Sequence, residues 1–285
     1  MPDTEVRYHM LRPRQIVGRR TECPAAYIPI GTIEWHGPQN PTGADTLQAE
    51  ALAIRCARKG GGLVFPPLYY GESRLEALME ANAGDRDKIA EAMNLNPANF
   101  TPERFPFTAT EQALNYQKLL LHVLAEVETL GFEVGVLVAG HYPLVDHARA
   151  AALLFNKREY SKREGMLAWA VADYLMAQDR WEHAGDHAGG WETSHVMASH
   201  PELVDLSQLP PKGETLVGIG AYYPPQDSSA EFGNDTYNHA AEAIVKEVRH
   251  RLDNRQDYRR HGSSLDTGKW RAPGTAAQWN VSPAP

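Results

Sequence analysis

Residues 25–45, AAYIPIGTIEWHGPQNPTGAD, decide the reading of the chain. The apolar run at 25–33 predicts a buried strand, and the Gly- and Pro-rich stretch after it predicts a tight loop. Glu34 and His36 stand at the strand end, two positions apart, so extended backbone sends both side chains to one face. Asp45 lies nine residues beyond His36, across Gly37, Pro38, Asn40, Pro41 and Gly43, which let the chain fold back on its start. Two carboxylates and an imidazole are thereby offered to one point, the donor chemistry of a divalent-metal site. Asp45 also suits the N-cap of the following helix, a role compatible with bridging.

Outward from that stretch, residues 45–58 show apolar side chains Leu47, Ala51, Ile54 and Ala57 at helical spacing, stopped by glycines 60–62. Leu63–Tyr70 reads as a second strand, so the first 70 residues form a β-loop-α-β unit that implies a parallel sheet. Residues 72–107 break the rhythm and read as a surface insertion with one short helical candidate at 75–82. Thr108 and Glu111 have the spacing of a capping box, ahead of a helix whose apolar positions are Leu114, Leu121, Leu124, Val127 and Leu130. Residues 132–139, FEVGVLVA, predict a buried strand running straight into Gly140, His141 and Tyr142, which puts a further ligand candidate at a strand end. Pro143 fits the first turn of a helix reaching about Asn156.

Residues 166–176 fit strand or helix, and the alternation of elements favours strand. The segment 181–197 gathers His183, His187 and His195 with Glu182, Asp186 and Glu192 around three glycines, and Glu192 stands where a helix begins. Residues 230–252 form an amphipathic helix with Ala241, Ile244, Val245, Val248 and Leu252 inward. We expect one domain over 1–285, with the insertion at about 72–104 and an irregular tail from about 254 that wraps a neighbouring subunit or stays mobile.

Composition limits what this domain does. With 285 residues, 42% hydrophobic and 22% charged, the chain supports a sizeable core. A net charge of −8 argues against a nucleic-acid or anionic-membrane surface. Two cysteines, Cys23 and Cys56, offer neither a disulfide framework nor a Cys-rich zinc site. The opening residues have no signal-peptide core, and apolar residues nowhere run on for the roughly 18 positions a membrane helix needs, so a cytoplasmic location is expected. Phosphate-binding glycine loops and the G-x-S-x-G elbow are missing from the sequence, which leaves metal chemistry as the reading.

The three segments IPIGTIEWHGPQNPTGAD, GH at 140–141 and DHAGGWETS at 186–194 together resemble the creatininase-like amidohydrolases, in that family's order and over roughly residues 25–250. The resemblance implies a three-layer α/β/α sandwich with a mostly parallel sheet, a metal centre at the strand ends, and a homo-oligomer, often a hexamer. Carried over residue by residue, it makes Glu34 and His141 ligands of one divalent ion, His36 and Glu192 ligands of the other, and Asp45 the bridge. Zinc is the first expectation, with manganese or iron as alternatives. It further implies hydrolysis of a carbon–nitrogen bond in a small cyclic amide or lactam by metal-activated hydroxide. His187 is the expected proton carrier. Tyr142, Trp181 and Trp191 fall between pocket wall and core. In creatininase itself a glutamate stands two positions after the histidine of the GH motif, where this chain has Pro143. Proline cannot transfer a proton, so creatinine is not the expected substrate, and Glu182, His183 and Asp186 are the candidate replacements. The alternatives are a formamide deformylase with the same ions and a homologue that binds ligand with reduced turnover.

Overall fold

A computed structural model describes residues 5–71, 84–101, 106–157 and 165–258. Four parallel strands, β1 (Ala25–Ile30), β2 (Leu63–Val64), β3 (Val134–Ala139) and β4 (Leu167–Ala172), lie in the order β2-β1-β3-β4. β1, β3 and β4 are buried along their whole length, as expected for strands covered on both faces. Their registers are in step: Ile30 pairs with Ala139, and Ala139 with Ala172. The residues that follow each strand therefore emerge side by side at one end of the sheet, and this alignment builds the site.

One face is covered by α2 (Ala44–Gly60) and α7 (Ala230–Asp253), which pack Leu52, Cys56, Ile244 and Val248 against Tyr27, Val136 and Trp169. The other is covered by α4 (Ala109–Thr129) and α5 (Leu144–Asn156), which pack Leu120, Leu124, Ala148 and Phe155 against Ile28, Leu137 and Ala168. At about 1.5–3 kcal/mol for each large apolar side chain fully buried, these two interfaces supply the main force holding the layers together. The architecture is the three-layer sandwich anticipated from the motifs. Three more helices, α1 (Pro13–Glu22), α3 (Arg86–Ala92) and α6 (Gly190–Ser199), complete the described elements used below. Among the described residues no helix is long and apolar enough to cross a membrane.

Several boundaries differ from the sequence reading. The expected strand at 63–70 pairs only over Leu63–Val64 before Pro66 and Pro67, which have no N–H to give the ladder, with a single further bridge from Leu68 to Ile30. The helical candidate at 75–82 lies outside the described residues, as does the tail beyond 258. Within the insertion, α3 and a short 3₁₀ turn at Pro97–Phe100 surround an apolar cluster of Ile89, Ala90, Met93, Leu95 and Phe100 that packs on Trp35 and Val217. This part of the insertion thus belongs to the packed structure around the Glu34–His36 loop. α4 is capped by Thr108 and Glu111 as expected, but its buried line runs through Tyr116, Leu120, Leu124 and Val127, leaving Leu114 about half exposed. A similar shift affects α2, where Ala49, Leu52, Ala53 and Cys56 take the innermost positions.

Candidate metal centre

Each strand end contributes to one cluster. After β1 the chain leaves the sheet through Gly31 and delivers Glu34 and His36; after β3, Gly140 leads into His141. Asp45 sits in the first turn of α2, one residue inside Ala44; Gly43 takes the N-cap position, so Asp45 is not the cap. The first turn of α2 lies directly against the end of β3: a side chain at position 140 would collide with the Asp45 carbonyl, and glycine is required there. Glu192 comes from the first turn of α6. All five side chains are essentially excluded from solvent.

Their polar atoms converge in two overlapping groups. Asp45 Oδ1 is 3.0 Å from His36 Nε2, which is also 3.4 Å from Glu192 Oε2. Asp45 Oδ2 is 3.2 Å from His141 Nδ1, which is also 2.9 Å from Glu34 Oε1. Asp45 therefore turns one oxygen to each group. Glu34, Asp45 and His141 make one candidate cation-binding set, His36, Asp45 and Glu192 a second, and Glu34, His36 and His187 a third, each with its donor atoms within 4.8 Å of one another. The resemblance divided the five ligands into the first two of these sets.

The protonation chemistry fits cations. His36 Nδ1 lies 3.3 Å from the Glu34 carbonyl, which can only accept, so Nδ1 carries the hydrogen and Nε2 faces the carboxylates. Burial alone would lower the His36 pKa, but Asp45 and Glu192 outweigh it and raise it well above the ordinary value. Burial likewise opposes ionisation of Asp45, yet His36 and His141 hold its carboxyl well below the usual range. This coupling between buried imidazoles and carboxylates is the electrostatic setting that divalent ions in such donor sets would share, and their binding would release protons. Three buried carboxylates and two imidazoles, with the ring nitrogens aimed at carboxylate oxygens, suit two divalent cations.

His187 stands at the edge of this cluster with its side chain 16% exposed, Nδ1 3.5 Å from Glu34 Oε1. Its Nε2 donates to the Trp35 carbonyl at 2.9 Å, so Nδ1 is the ring nitrogen turned to the cluster. Its backbone is paired with Gly220 in both directions.

The other expected site residues divide. Asp186, buried, accepts the backbone N–H groups of Trp191 at 2.8 Å and Glu192 at 3.1 Å, so it caps the first turn of α6. Its pKa is pushed up to about 7 by burial and the Glu192 charge. Tyr142 packs edge-on to Tyr174 and directs its hydroxyl to Asp173 at 3.4 Å. Trp191 is fully buried among Trp181, His195 and Phe232, and its indole N–H donates to Asp173 at 2.6 Å, which makes it core and not pocket wall. Trp181 is drawn into the same aromatic packing with His239. Glu182 and His183 are exposed, and His183 stacks on Tyr222.

Sequence reasoning passed over three buried polar residues around the cluster. Gln48 donates to Glu192 Oε1 at 2.9 Å, and Gln39 donates to the Ala188 carbonyl at 2.8 Å. Asp173, directly after β4, has a pKa raised to about 6 by burial. Its position in line with Gly31 and Gly140 was the available signal. Gln48 lies one helical turn beyond Asp45, the only hint it offered. Ala188, a non-glycine residue at φ 55°, aims its N–H at Glu192 Oε2, 2.8 Å away.

A family profile described as "Creatininase: Creatinine amidohydrolase" matches residues 9–248. The chain belongs to the creatininase family. It is 38% identical over 68 residues to the 3-dehydro-scyllo-inosose hydrolase of Thermotoga maritima, covering 24% of this chain and 22% of the relative. To the creatinine amidohydrolase of Pseudomonas putida it is 22% identical over 200 residues, covering 64% and 66%, so it is a family member distant from that enzyme. The matches thus span about a fifth and just under two thirds of these relatives' lengths. Among solved structures, a mutant creatininase described as Zn-Zn type superimposes with a TM-score of 0.64 at 19% identity, covering 87% of this chain and 98% of that one, a likeness of fold.

Proposed function

We propose that the protein is a metal-dependent amidohydrolase that opens a small cyclic amide or lactam. The observation that carries this reading is the split of the Asp45 carboxylate, one oxygen toward His36 and Glu192, the other toward His141 and Glu34. Glu34, Asp45 and His141 would hold one ion, and His36, Asp45 and Glu192 the other, with zinc or manganese suited to the mixed nitrogen and oxygen donors. When bound, such a pair acidifies water and polarises a carbonyl oxygen.

The chain's own groups carry the protons. His187 takes one at Nδ1 from the attacking water, because its other nitrogen is engaged by the Trp35 carbonyl. As imidazolium it then gives that proton to the departing nitrogen, which serves the carrier role without the carboxylate that Pro143 replaces. A cytoplasmic homo-oligomer acting on a small molecule accords with this reading.

A second reading is favoured by the stronger local identity to the Thermotoga maritima relative: ring opening of a 3-dehydro-scyllo-inosose-like substrate by the same residues. The test is to measure bound metal, strip and restore zinc or manganese, and screen cyclic amides, formamides and 3-dehydro-scyllo-inosose. Turnover of a cyclic amide supports the first reading, and turnover of the inosose alone selects the second. Metal-independent activity, or Glu34→Ala and His141→Ala proteins with wild-type metal content, overturns both.

A further inference from the structure

We propose that Gln48 is a positioning residue for the metal centre: its amide holds Glu192 Oε1 so that Oε2 alone is presented beside His36 and Asp45. The inference rests on the two-ion reading above. Gln48 is buried on the inner side of α2, and its Nε2 lies 2.9 Å from Glu192 Oε1 and 3.2 Å from the Gly140 carbonyl. Both partners are acceptors, so the amide has one orientation, with Nε2 toward them and Oε1 away.

That orientation sets the next link. Oε1 accepts from His195 Nδ1 at 3.2 Å, so Nδ1 carries the imidazole hydrogen, and His195 Nε2 receives the Thr236 hydroxyl at 2.8 Å. The His195 ring is stacked on Tyr237, with centroids 4.0 Å apart and planes 12° from parallel. The Tyr237 hydroxyl in turn donates to the backbone carbonyl of Gln48 at 3.2 Å. A single chain of donors thus runs from α7 through α6 and α2 to one oxygen of Glu192. The other oxygen, held by the Ala188 N–H at 2.8 Å, stays 3.4 Å from His36 Nε2. Both Glu192 oxygens are thus held, and a carboxylate so fixed would keep Oε2 turned to an ion beside His36 and Asp45.

The test titrates the full-length protein with Zn²⁺ against a chromophoric chelator and records the visible spectrum after Co²⁺ loading. Gln48→Met keeps length and apolar packing and removes the amide. One of the two ions is expected to bind about 10–100-fold more weakly, with the other unchanged and the Co²⁺ spectrum altered. His195→Phe, which keeps the stack on Tyr237, is expected to weaken the same ion by about 3–10-fold and to add nothing to Gln48→Met. If Gln48→Met does not fold, His195→Phe alone decides. Wild-type affinity and an unaltered spectrum in both variants, or additive losses, overturn the inference. A wild-type protein that binds no divalent ion overturns the two-ion reading itself, which its own titration reveals before any variant is made.

Discussion

Asp173 and Asp186 are nearly as deeply buried as Glu34 and Asp45, but their surroundings are of opposite kinds. Asp173 accepts the Trp191 indole N–H, and Asp186 accepts two backbone N–H groups at the start of α6. Neutral donors satisfy them, and burial raises both pKa values, to about 6 and about 7. The side-chain contacts described for the Glu34 and Asp45 carboxylates are with imidazoles, whose protons a cation can displace. The difference teaches that a buried carboxylate in this fold serves architecture when backbone and indole hydrogens satisfy it, even with a single ring nitrogen nearby, as His195 Nδ1 lies 3.4 Å from Asp173, and suits ion binding when at least two imidazoles converge on it, as on Glu34 and Asp45.

Replacing each carboxylate with its own amide is the sharpest way to break that comparison. Asp45→Asn is expected to remove at least one ion and lower activity by about 10³-fold or more, read by metal analysis and steady-state kinetics. The distinction would collapse if this variant kept both ions. Chelation comes next in size. An ion present at about 1,000 times its dissociation constant adds about 4 kcal/mol, so stripping it should lower the Tm by on the order of 10 °C, reversibly, in wild type but far less in Asp45→Asn.

Asp173→Asn should retain both ions and instead change the pH dependence of folding. A carboxyl whose pKa rises from 3.8 to about 6 on folding contributes its stability below the lower value and loses it as pH climbs to the upper. The amide does not titrate, so its stability relative to wild type should increase by on the order of 2–3 kcal/mol between pH 4 and 6 and stay level above. Urea unfolding of metal-free protein across that range checks it; a flat difference would place Asp173 among groups that do not titrate on folding. Smallest is Asp186→Asn, which removes one acceptor from the first turn of α6 and should cost about 1 kcal/mol at neutral pH, with metal content kept.

How much of this was readable beforehand follows the same division. Fully buried parallel strands appear as apolar runs, so β1, β3 and β4 could be found, and Thr108 with Glu111 marked the start of α4 through paired side-chain and backbone bonds. Glu34, His36 and Asp45 could be brought together because glycines and prolines announce the turn between them, whereas His141 and Glu192 join them in one set only through the family resemblance. Helix phase was harder. Which side of α2 or α4 faces inward depends on partners distant in sequence, and half-exposed Leu114 stands at the rim of its apolar stripe. Gln48 escaped notice because a glutamine within a helix is ordinarily unremarkable, and its partner is 144 positions away. The sequence leaves Trp191 between pocket wall and core because indoles suit both, and only packing distinguishes the two.

Ala188 has a consequence beyond the hydrogen bond it makes. A side-chain-bearing residue in the left-handed region costs on the order of 1 kcal/mol or more and persists only where its neighbours impose it. Gln39 and Thr193 impose it here by engaging its carbonyl. The segment is consequently preorganised, cocked before any cation arrives. Capture should then proceed at the pace of dehydration and proton release, with no slow rearrangement of the loop to wait for.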